Sequence, residues 1–147
     1  MGANPFGTLY SVHNGPPSTW FNPIFDSISG ELGGTQSLAL RMGPSFAGQL
    51  YVTLGSLSGT SPGFTAQGVA IPINPDAYTL FTLTSTGAPL FGFVGILDGD
   101  GSGGMAIQLP PGSGAFAGLA LDHATVTLDP VTSQATGAST AQSVTID

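Results

Sequence analysis

Apolar residues occupy every second position in two neighbouring segments of the chain. Residues 37–42 carry two leucines and a methionine in this alternation, and residues 49–55 carry two leucines and a valine. A period of two places these side chains on one face of an extended strand and the polar ones on the other. Because Gly and Pro residues separate the segments, the pattern predicts two antiparallel strands, each with one buried face.

Six further runs rich in Thr, Val, Phe and Leu follow, each bounded by Gly, Pro, Asn or Asp. Short strands that recur about every 10 to 15 residues, with no helical pattern longer than a turn, are typical of two packed sheets. We therefore predict an all-β fold, an immunoglobulin-like β-sandwich of roughly seven to nine mainly antiparallel strands, with a closed barrel as the alternative. The six runs are residues 68–73, 78–84, 90–97, 104–109, 119–128 and 139–146.

The N-terminal segment differs in texture from the rest of the chain. Several Pro- or Gly-containing pairs interrupt residues 1–32, and such pairs disfavour a continuous helix or a central strand. We predict an irregular N-terminal arm with a short strand within residues 6–13 and one helical turn after Pro23. We expect the arm to pack on the sandwich of residues 33–147, or to be exchanged with the arm of another copy.

Charged residues are scarce. Of the 147 residues one is basic, Arg41, and eight are Asp or Glu, so the net charge is −7. A single cation cannot neutralise the several phosphates that a nucleic-acid complex requires, and nucleic-acid binding is therefore excluded. Charged residues make up 6% of the chain instead of the usual quarter or so, which means that hydroxyls and amides must keep it soluble. We expect an extracellular or cell-surface location.

Residue types that are missing narrow the function classes further. Without Cys the chain has no disulfide scaffold, no Cys-ligated zinc and no thiol catalysis. No apolar run reaches the about 18 residues of a membrane-spanning helix, so we expect no membrane insertion. Lys residues normally guard exposed sheet edges, and because this chain has none, pairing between copies is weakly opposed.

Several short motifs follow one another in a characteristic order between residues 33 and 146. They begin with LGSLSGTSPG at 54–63 and continue with IPIN at 71–74, DAYTLFTL at 76–83, LD at 97–98 and the segment 118–130. In this order and spacing the motifs resemble an immunoglobulin-like C-terminal domain that recurs in large predicted exported proteins of planctomycetes and some myxobacteria. The resemblance implies an immunoglobulin-like sandwich in an exported protein.

The resemblance implies location more than chemistry. The family is mostly uncharacterised and has no agreed catalytic residues that could be carried over to this chain. Family members tend to have Ser-Asn before the last strand, whereas this chain has Ser-Thr-Ala-Gln at residues 139–142. No role is therefore transferred to the final turn.

The segment that begins at Asp98 has the spacing of the first half of an EF-hand calcium loop. Asp98, Asp100 and Ser102 stand at positions 1, 3 and 5, with glycine at position 6. The bidentate carboxylate of position 12 is missing, because Leu109 stands there. Asp and Gly are equally favoured in a hairpin turn between the flanking strands. We favour the turn and keep weak calcium binding as the alternative, with calcium the only cofactor considered.

His123 follows Asp122 and precedes Asp129, and such residues could ligate zinc. Alternation sends His123 and Asp122 to opposite faces of one strand, so we predict a structural histidine satisfied by a backbone carbonyl. The other histidine, His13, lies far away in the arm. No nucleophile, base and oxyanion donors come together, and Glu31 is the only Glu. We predict no catalytic residues, no cofactor-binding residues and no enzymatic activity.

Four aromatic residues of the arm are candidates for binding. Trp20, Phe21, Phe25 and Tyr10 could cover an open end of the sandwich, stack on sugar rings or pair with a neighbouring copy. We predict a non-catalytic structural module that self-assembles through the arm and the sheet edges, with its own copies or other surface proteins as partners. The alternative is a carbohydrate-binding module that binds glycans through surface aromatics.

Overall fold

Two main β-sheets, a separate two-stranded hairpin, one short α-helix and two 3-10 turns form the regular structure of the described part of the chain. The computed structural model describes residues 7–12, 27–84 and 90–147. The prediction of an all-β, sandwich-like fold is confirmed. In chain order the elements are β1 (Thr8–Val12), β2 (Ser27–Ile28), β3 (Gly34–Arg41), β4 (Leu50–Ser56), β5 (Phe64–Ala66), β6 (Val69–Ile71), α1 (Ala77–Thr84), β7 (Leu90–Phe91), β8 (Val94–Ile96), β9 (Ser102–Leu109), β10 (Ala120–Leu128), β11 (Ala135–Ala138) and β12 (Gln142–Ile146).

The strands are divided between two main sheets. Sheet one has the order β1, β3, β9, β7, and all its neighbouring strands are antiparallel. Sheet two has the order β2, β12, β10, β4, β8, and β11 also pairs with β10. β2 joins β12 in parallel, and β5 and β6 form a separate hairpin. The strands outnumber the predicted seven to nine because several are only two or three residues long.

Apolar side chains fill the space between the two sheets. Leu38, Leu40 and Met105 of sheet one are buried there together with Tyr51 of sheet two. The hydroxyl of Tyr51 crosses the gap and donates a hydrogen bond of 3.0 Å to the backbone oxygen of Gly104. The sheets are therefore joined by packing and by a polar contact that needs no charge.

A second apolar cluster covers the outer face of sheet two. Leu54 of β4 packs there with Ile71 of the β5 and β6 hairpin and with Ile73, which follows it. The residue before Leu54, Thr53, points the other way, and its hydroxyl lies 3.5 Å from the sulfur of Met105 in sheet one. Of the predicted buried face at residues 49–55, Leu54 is buried, whereas Leu50 and Val52 are only half-buried. The opposite face, which carries Tyr51 and Thr53, is buried between the two sheets.

The predicted strand at residues 78–84 is wrong, because these residues form α1, which is longer than the single turn expected anywhere in the chain. The carboxylate of Asp76 accepts hydrogen bonds from the backbone N–H groups of Tyr78 at 2.9 Å and Thr79 at 3.2 Å. In return the Thr79 hydroxyl accepts one from the Asp76 N–H at 3.0 Å. This reciprocal cap satisfies the start of a helix and outweighs the β preference of Tyr, Thr and Phe.

The predicted single strand at residues 90–97 is also wrong, because the chain changes sheets within it. β7 pairs with β9 of sheet one, and β8 pairs with β4 of sheet two. Gly92 permits the change: its φ is +69°, and a Cβ there would lie 2.8 Å from the backbone oxygen of Gly104. The turn that follows at Asp98 therefore leads from β8 of sheet two to β9 of sheet one. The predicted tight turn is present, because the N–H of Asp98 donates a hydrogen bond of 3.0 Å to the backbone oxygen of Ser102.

Two parts of the predicted arm lie at the edges of the sheets. β1 is the edge strand of sheet one and pairs with β3, from Thr8 opposite Arg41 to Val12 opposite Ser37. In the described part of the chain, β2 is one of the two edge strands of sheet two. The predicted strand within residues 6–13 is confirmed, and the helical turn predicted after Pro23 lies outside the described residues.

Candidate functional site

A carboxylate at the start of α1 gathers the end of β4 around it. Oδ2 of Asp76 accepts hydrogen bonds from the backbone N–H groups of Leu57 at 2.8 Å and Ser58 at 3.0 Å. It also accepts from the hydroxyls of Ser58 at 2.6 Å and Ser56 at 3.2 Å. Oδ1 makes the helix cap described above. Because hydrogen-bond donors of the protein occupy both oxygens, the Asp76 carboxylate fixes the end of β4 to the start of α1.

Asn74 holds the neighbouring loop in the same way. Its amide nitrogen donates to the backbone oxygens of Ser58 at 3.0 Å and Ser61 at 2.8 Å, and its oxygen accepts from the N–H of Gly63 at 2.8 Å. The motifs at residues 54–63, 71–74 and 76–83 therefore meet at one junction. Its polar side chains bind to the protein's own backbone.

The pKa of Asp76 reflects these bonds. Burial raises the pKa, but the accepted hydrogen bonds, first among them that from Ser58, outweigh it and hold the pKa of the carboxyl well below its ordinary value. Hydrogen bonds to an ionised carboxylate favour the charged form. Asp76 therefore stays ionised throughout the neutral range, and it offers neither a proton nor a free base.

His123 lies fully buried beneath α1. Its Nε2 lies 2.8 Å from the hydroxyl of Tyr78, and its ring meets those of Tyr78 and Phe93 edge to face. Nδ1 has no hydrogen-bond partner of adequate geometry in the described part of the chain. The prediction of a core histidine is confirmed. A tyrosine hydroxyl 45 residues away is the hydrogen-bond partner of Nε2. The predicted backbone carbonyl partner stays a prediction.

Burial sets the protonation of this pair. Burial lowers the pKa of His123 to about 4, and the backbone of Gln142 opposes this effect. Burial, and secondly the charge of Asp76, raise the pKa of Tyr78 above its ordinary value. Imidazole and phenol are therefore both neutral at pH 7. His123 has no exposed surface and is inaccessible to a substrate, and its contact with the half-buried Tyr78 holds α1 against sheet two.

The loop at Asp98 is closed by its own backbone. Oδ1 of Asp98 accepts hydrogen bonds of 2.9 Å from the N–H groups of Asp100 and Ser102. These hydrogen bonds, above all the one from Ser102, lower the pKa of Asp98. The three residues of the calcium hypothesis thus lie in one tight turn, in which one carboxylate oxygen already serves as an acceptor. Calcium binding by Asp98, Asp100 and Ser102 stays a prediction.

The other predicted polar residues are separated from one another. Asp122 lies on the opposite face of β10 from His123, where it accepts a hydrogen bond from the hydroxyl of Ser143. Asp129 lies beyond the far end of β10 and accepts from the N–H groups of the turn that follows. Within residues 7–12, 27–84 and 90–147, no three His, Asp or Glu side chains are placed to hold a metal ion.

The aromatic residues predicted to bind ligands fall mostly outside the described structure. The residues outside the described part of the chain include Trp20, Phe21 and Phe25, and also His13. Tyr10 lies on the edge strand β1, where its backbone pairs with that of Ala39. The exposed aromatic side chains of the described residues are instead three phenylalanines, Phe81, Phe91 and Phe116.

One of these phenylalanines lines a groove of about 670 Å³ where β3 begins and β9 ends. Phe116, 52% exposed, and Leu32, 78% exposed, belong to its walls, with two prolines. Thr35 and Gln108, which are cross-strand partners, supply a hydroxyl and an amide. None of the lining residues is charged, so the groove suits an uncharged ligand with one apolar face.

The outer edge of sheet two carries the second exposed apolar feature. β8 is the last strand of this sheet in the described structure, and its side chains Val94 and Ile96 are 56% and 67% exposed. We call the backbone and side chains of these two residues the β8 edge. It carries no charged residue, and charge is the usual protection of an open edge.

Comparisons with known proteins add no relative. No family model matches the chain, and neither a curated protein nor a solved structure matches it. The resemblance to the exported-protein domain therefore stays a prediction. Among the described residues, no helix has the length and the apolar character needed to cross a membrane.

Sequence reasoning missed the Asp76 junction and the β8 edge. The spacing of Asp76 and Thr79 is that of a capping pair, and this signal could have identified the start of α1. Two glycines in residues 90–97, Gly92 and Gly95, could have indicated that this run is not one regular strand.

Proposed function

We propose that this chain is a non-catalytic structural module of the cell surface or extracellular space, immunoglobulin-like in type, which self-associates through its N-terminal arm and its sheet edges. The observation that carries the proposal is the position of the arm. β1 is an N-terminal strand at the edge of sheet one, held by main-chain pairing with β3 and by the buried side chain of Leu9. A second copy could supply the same strand, because the contacts are the same in cis and in trans.

The scarcity of charged residues in the core and on the surface supports this proposal. The core satisfies its polar groups with hydroxyl pairs, such as that of Thr53 and Thr125 at 2.8 Å, instead of ions. Such a molecule has no lysine with which to keep its sheet edges apart. A surface poor in charge also favours close packing of many copies, which is what a structural layer or filament needs.

Cysteine cross-linking tests the exchange of β1, because the natural chain has no cysteine to interfere. Thr8 and Arg41 are exposed cross-strand partners of β1 and β3. A mixture of the single variants Thr8→Cys and Arg41→Cys should form a disulfide-linked dimer under mild oxidation. The matched control replaces Arg41→Cys by Thr65→Cys, an exposed position on β5 that is no partner of β1. Equal cross-linking in both mixtures would rule out strand exchange.

The groove at Phe116 favours carbohydrate binding as the second candidate function. A sugar ring has an apolar C–H face that stacks on an aromatic side chain, and hydroxyls that bond to amides and hydroxyls. Phe116 with Gln108 and Thr35 offers this combination without charge. The candidate site is therefore formed by residues other than the predicted arm aromatics.

A glycan array followed by titration calorimetry tests the second candidate. Binding of a neutral oligosaccharide should be lost in Phe116→Ala and weakened in Gln108→Ala. The matched control is Phe91→Ala, because Phe91 is also exposed but does not line the groove. An array without any binding, or equal losses in the two phenylalanine variants, would eliminate the groove as a sugar site.

A further inference from the structure

We propose that the β8 edge is a homotypic contact, at which β8 pairs antiparallel with β8 of a second copy about a twofold axis through Gly95. The inference deepens the proposed self-association by naming a surface and a partner. It does not depend on the arm, since β1 belongs to sheet one and β8 ends sheet two.

Backbone hydrogen bonds show which groups of β8 point outward. The backbone oxygen of Phe93 accepts from the N–H of Thr53 at 2.7 Å, and the N–H of Leu97 donates to the backbone oxygen of Gln49 at 2.8 Å. Backbone groups of alternate residues point to the same side of a strand. Gly95 therefore also faces β4, and the N–H and C=O groups of Val94 and Ile96 point away from it.

The outward groups match those of a second copy in one register. An axis through Gly95 places Val94 opposite Ile96 of the other copy, and Ile96 opposite its Val94. Each of these two pairs can exchange both main-chain hydrogen bonds, which makes four in all. The central pair of glycines is the non-bonded pair that an antiparallel ladder requires between them. β8 is therefore complementary to itself.

The side chains continue an apolar row across this contact. Ile96 lies opposite Leu50 on β4, which in turn lies opposite Leu128 on β10. Val94, Val52 and Val126 form the next row in the same way. In the twofold register Ile96 of one copy lies beside Val94 of the other. The three-residue row that ends at Ile96 is thereby continued by the three-residue row that begins at Val94 of the second copy, which makes six aliphatic side chains on one face.

Two features make a second copy the fitting partner. The edge has no charged group with which to recognise a basic or acidic protein, and the nearest acid, Asp98, already bonds to backbone N–H groups. A copy of the same chain brings the matching register and matching aliphatic rows. Residue 95 is restricted to glycine, because a Cβ there would lie 2.7 to 2.8 Å from the hydroxyl and ring atoms of Tyr51.

The contact is small, so the association is expected to be weak. Three residues per strand bury far less surface than the roughly 1,200 Å² of a stable interface, which points to a dissociation constant on the order of 0.1 mM. Both copies carry a net charge of −7, and salt should strengthen the dimer because it screens their repulsion.

Charge placed on the edge tests the contact. In Val94→Lys/Ile96→Lys four lysines would meet at the interface, and the dissociation constant from sedimentation equilibrium should rise at least about tenfold. The matched control is Val131→Lys/Leu80→Lys, which makes the same change of charge at exposed apolar positions outside β8. Unchanged association of the edge variant, with a native circular dichroism spectrum, would overturn the inference.

Amide hydrogen exchange gives a readout that does not depend on any variant. The N–H of Gly95 faces β4 and should be protected at every protein concentration, whereas those of Val94 and Ile96 should gain protection only as the concentration rises. Fast exchange at Val94 and Ile96 in an associated sample would refute the β8 contact while leaving assembly through β1 in place. Protection at these amides without β1 cross-linking would support the contact and count against the arm.

Discussion

Removal of the Asp76 carboxylate should loosen α1 from the sandwich. In Asp76→Ala the helix loses its N-terminal cap, which costs about 1 kcal/mol in comparable helices. The N–H groups of Leu57 and Ser58 also lose a charged acceptor, although solvent partly replaces it. We expect a total loss of about 2 to 3 kcal/mol in the free energy of unfolding.

Urea denaturation at pH 7 measures this loss, provided that the slope of the transition stays constant. Asp76→Asn should lose less than Asp76→Ala, because asparagine retains the cap but its amide group cannot accept on both sides. Asp129→Ala is the control, since Asp129 accepts from two backbone N–H groups of a single exposed turn. If Asp76→Ala were no more damaging than Asp129→Ala, the junction between β4 and α1 would not have the importance assigned to it.

The pH dependence of the same variant gives an independent check. The folded pKa of Asp76 lies below its unfolded value, so the stability that the carboxylate contributes is fully present above the unfolded pKa. It is lost as the pH falls from about 4 through the folded pKa. The difference in stability between the natural chain and Asp76→Ala should therefore shrink on acidification. A difference that stays constant down to about pH 2 would contradict the assigned ionisation.

Three further predictions concern other parts of the molecule. The pKa of His123 is about 4 in the folded chain and 6.5 in the unfolded chain, so the free energy of unfolding should fall by up to about 3 kcal/mol as the pH drops from 6.5 to 4. Urea denaturation at several pH values should show this fall in the control variant His13→Asn but not in His123→Gln. Gly55→Ala should lower the free energy of unfolding by about 1 to 3 kcal/mol in a thermal denaturation experiment, because the new Cβ would collide with the ring of Tyr78. Gly114→Ala should be neutral, because the new Cβ would point into open space. Calcium at about 1 mM should leave the melting temperature unchanged; a rise that disappears in Asp98→Asn would show that the loop binds the ion.

The alternation of apolar and polar residues correctly predicted strands β3 and β4, because a strand in a sandwich turns alternate side chains towards the interior. The segments at 37–42 and 49–55 lie in β3 and β4, as expected from their period of two. The same rule failed at 78–84, where Tyr, Thr and Phe favour strands but Asp76 and Thr79 cap a helix. Local capping outweighed intrinsic preference there.

The candidate site could be predicted only where it is local in sequence. The turn at Asp98 follows from the preference of Asp and Gly for tight turns. The partnership of Tyr78 with His123 joins positions 45 residues apart, and no local pattern indicates it. The exposed state of Val94 and Ile96 depends on which strand ends sheet two, a property of the whole topology.

Sedimentation equilibrium of the natural chain tests the central claim, self-association, most directly. Protein between about 10 µM and about 1 mM should show an average mass that rises from that of the 14.7 kDa monomer towards twice this value or more. The rise should be steeper at about 0.5 M salt than at about 0.05 M, because the contacts are apolar and the copies repel one another. A mass that remains at 14.7 kDa across the whole range, at both salt concentrations, would contradict the account.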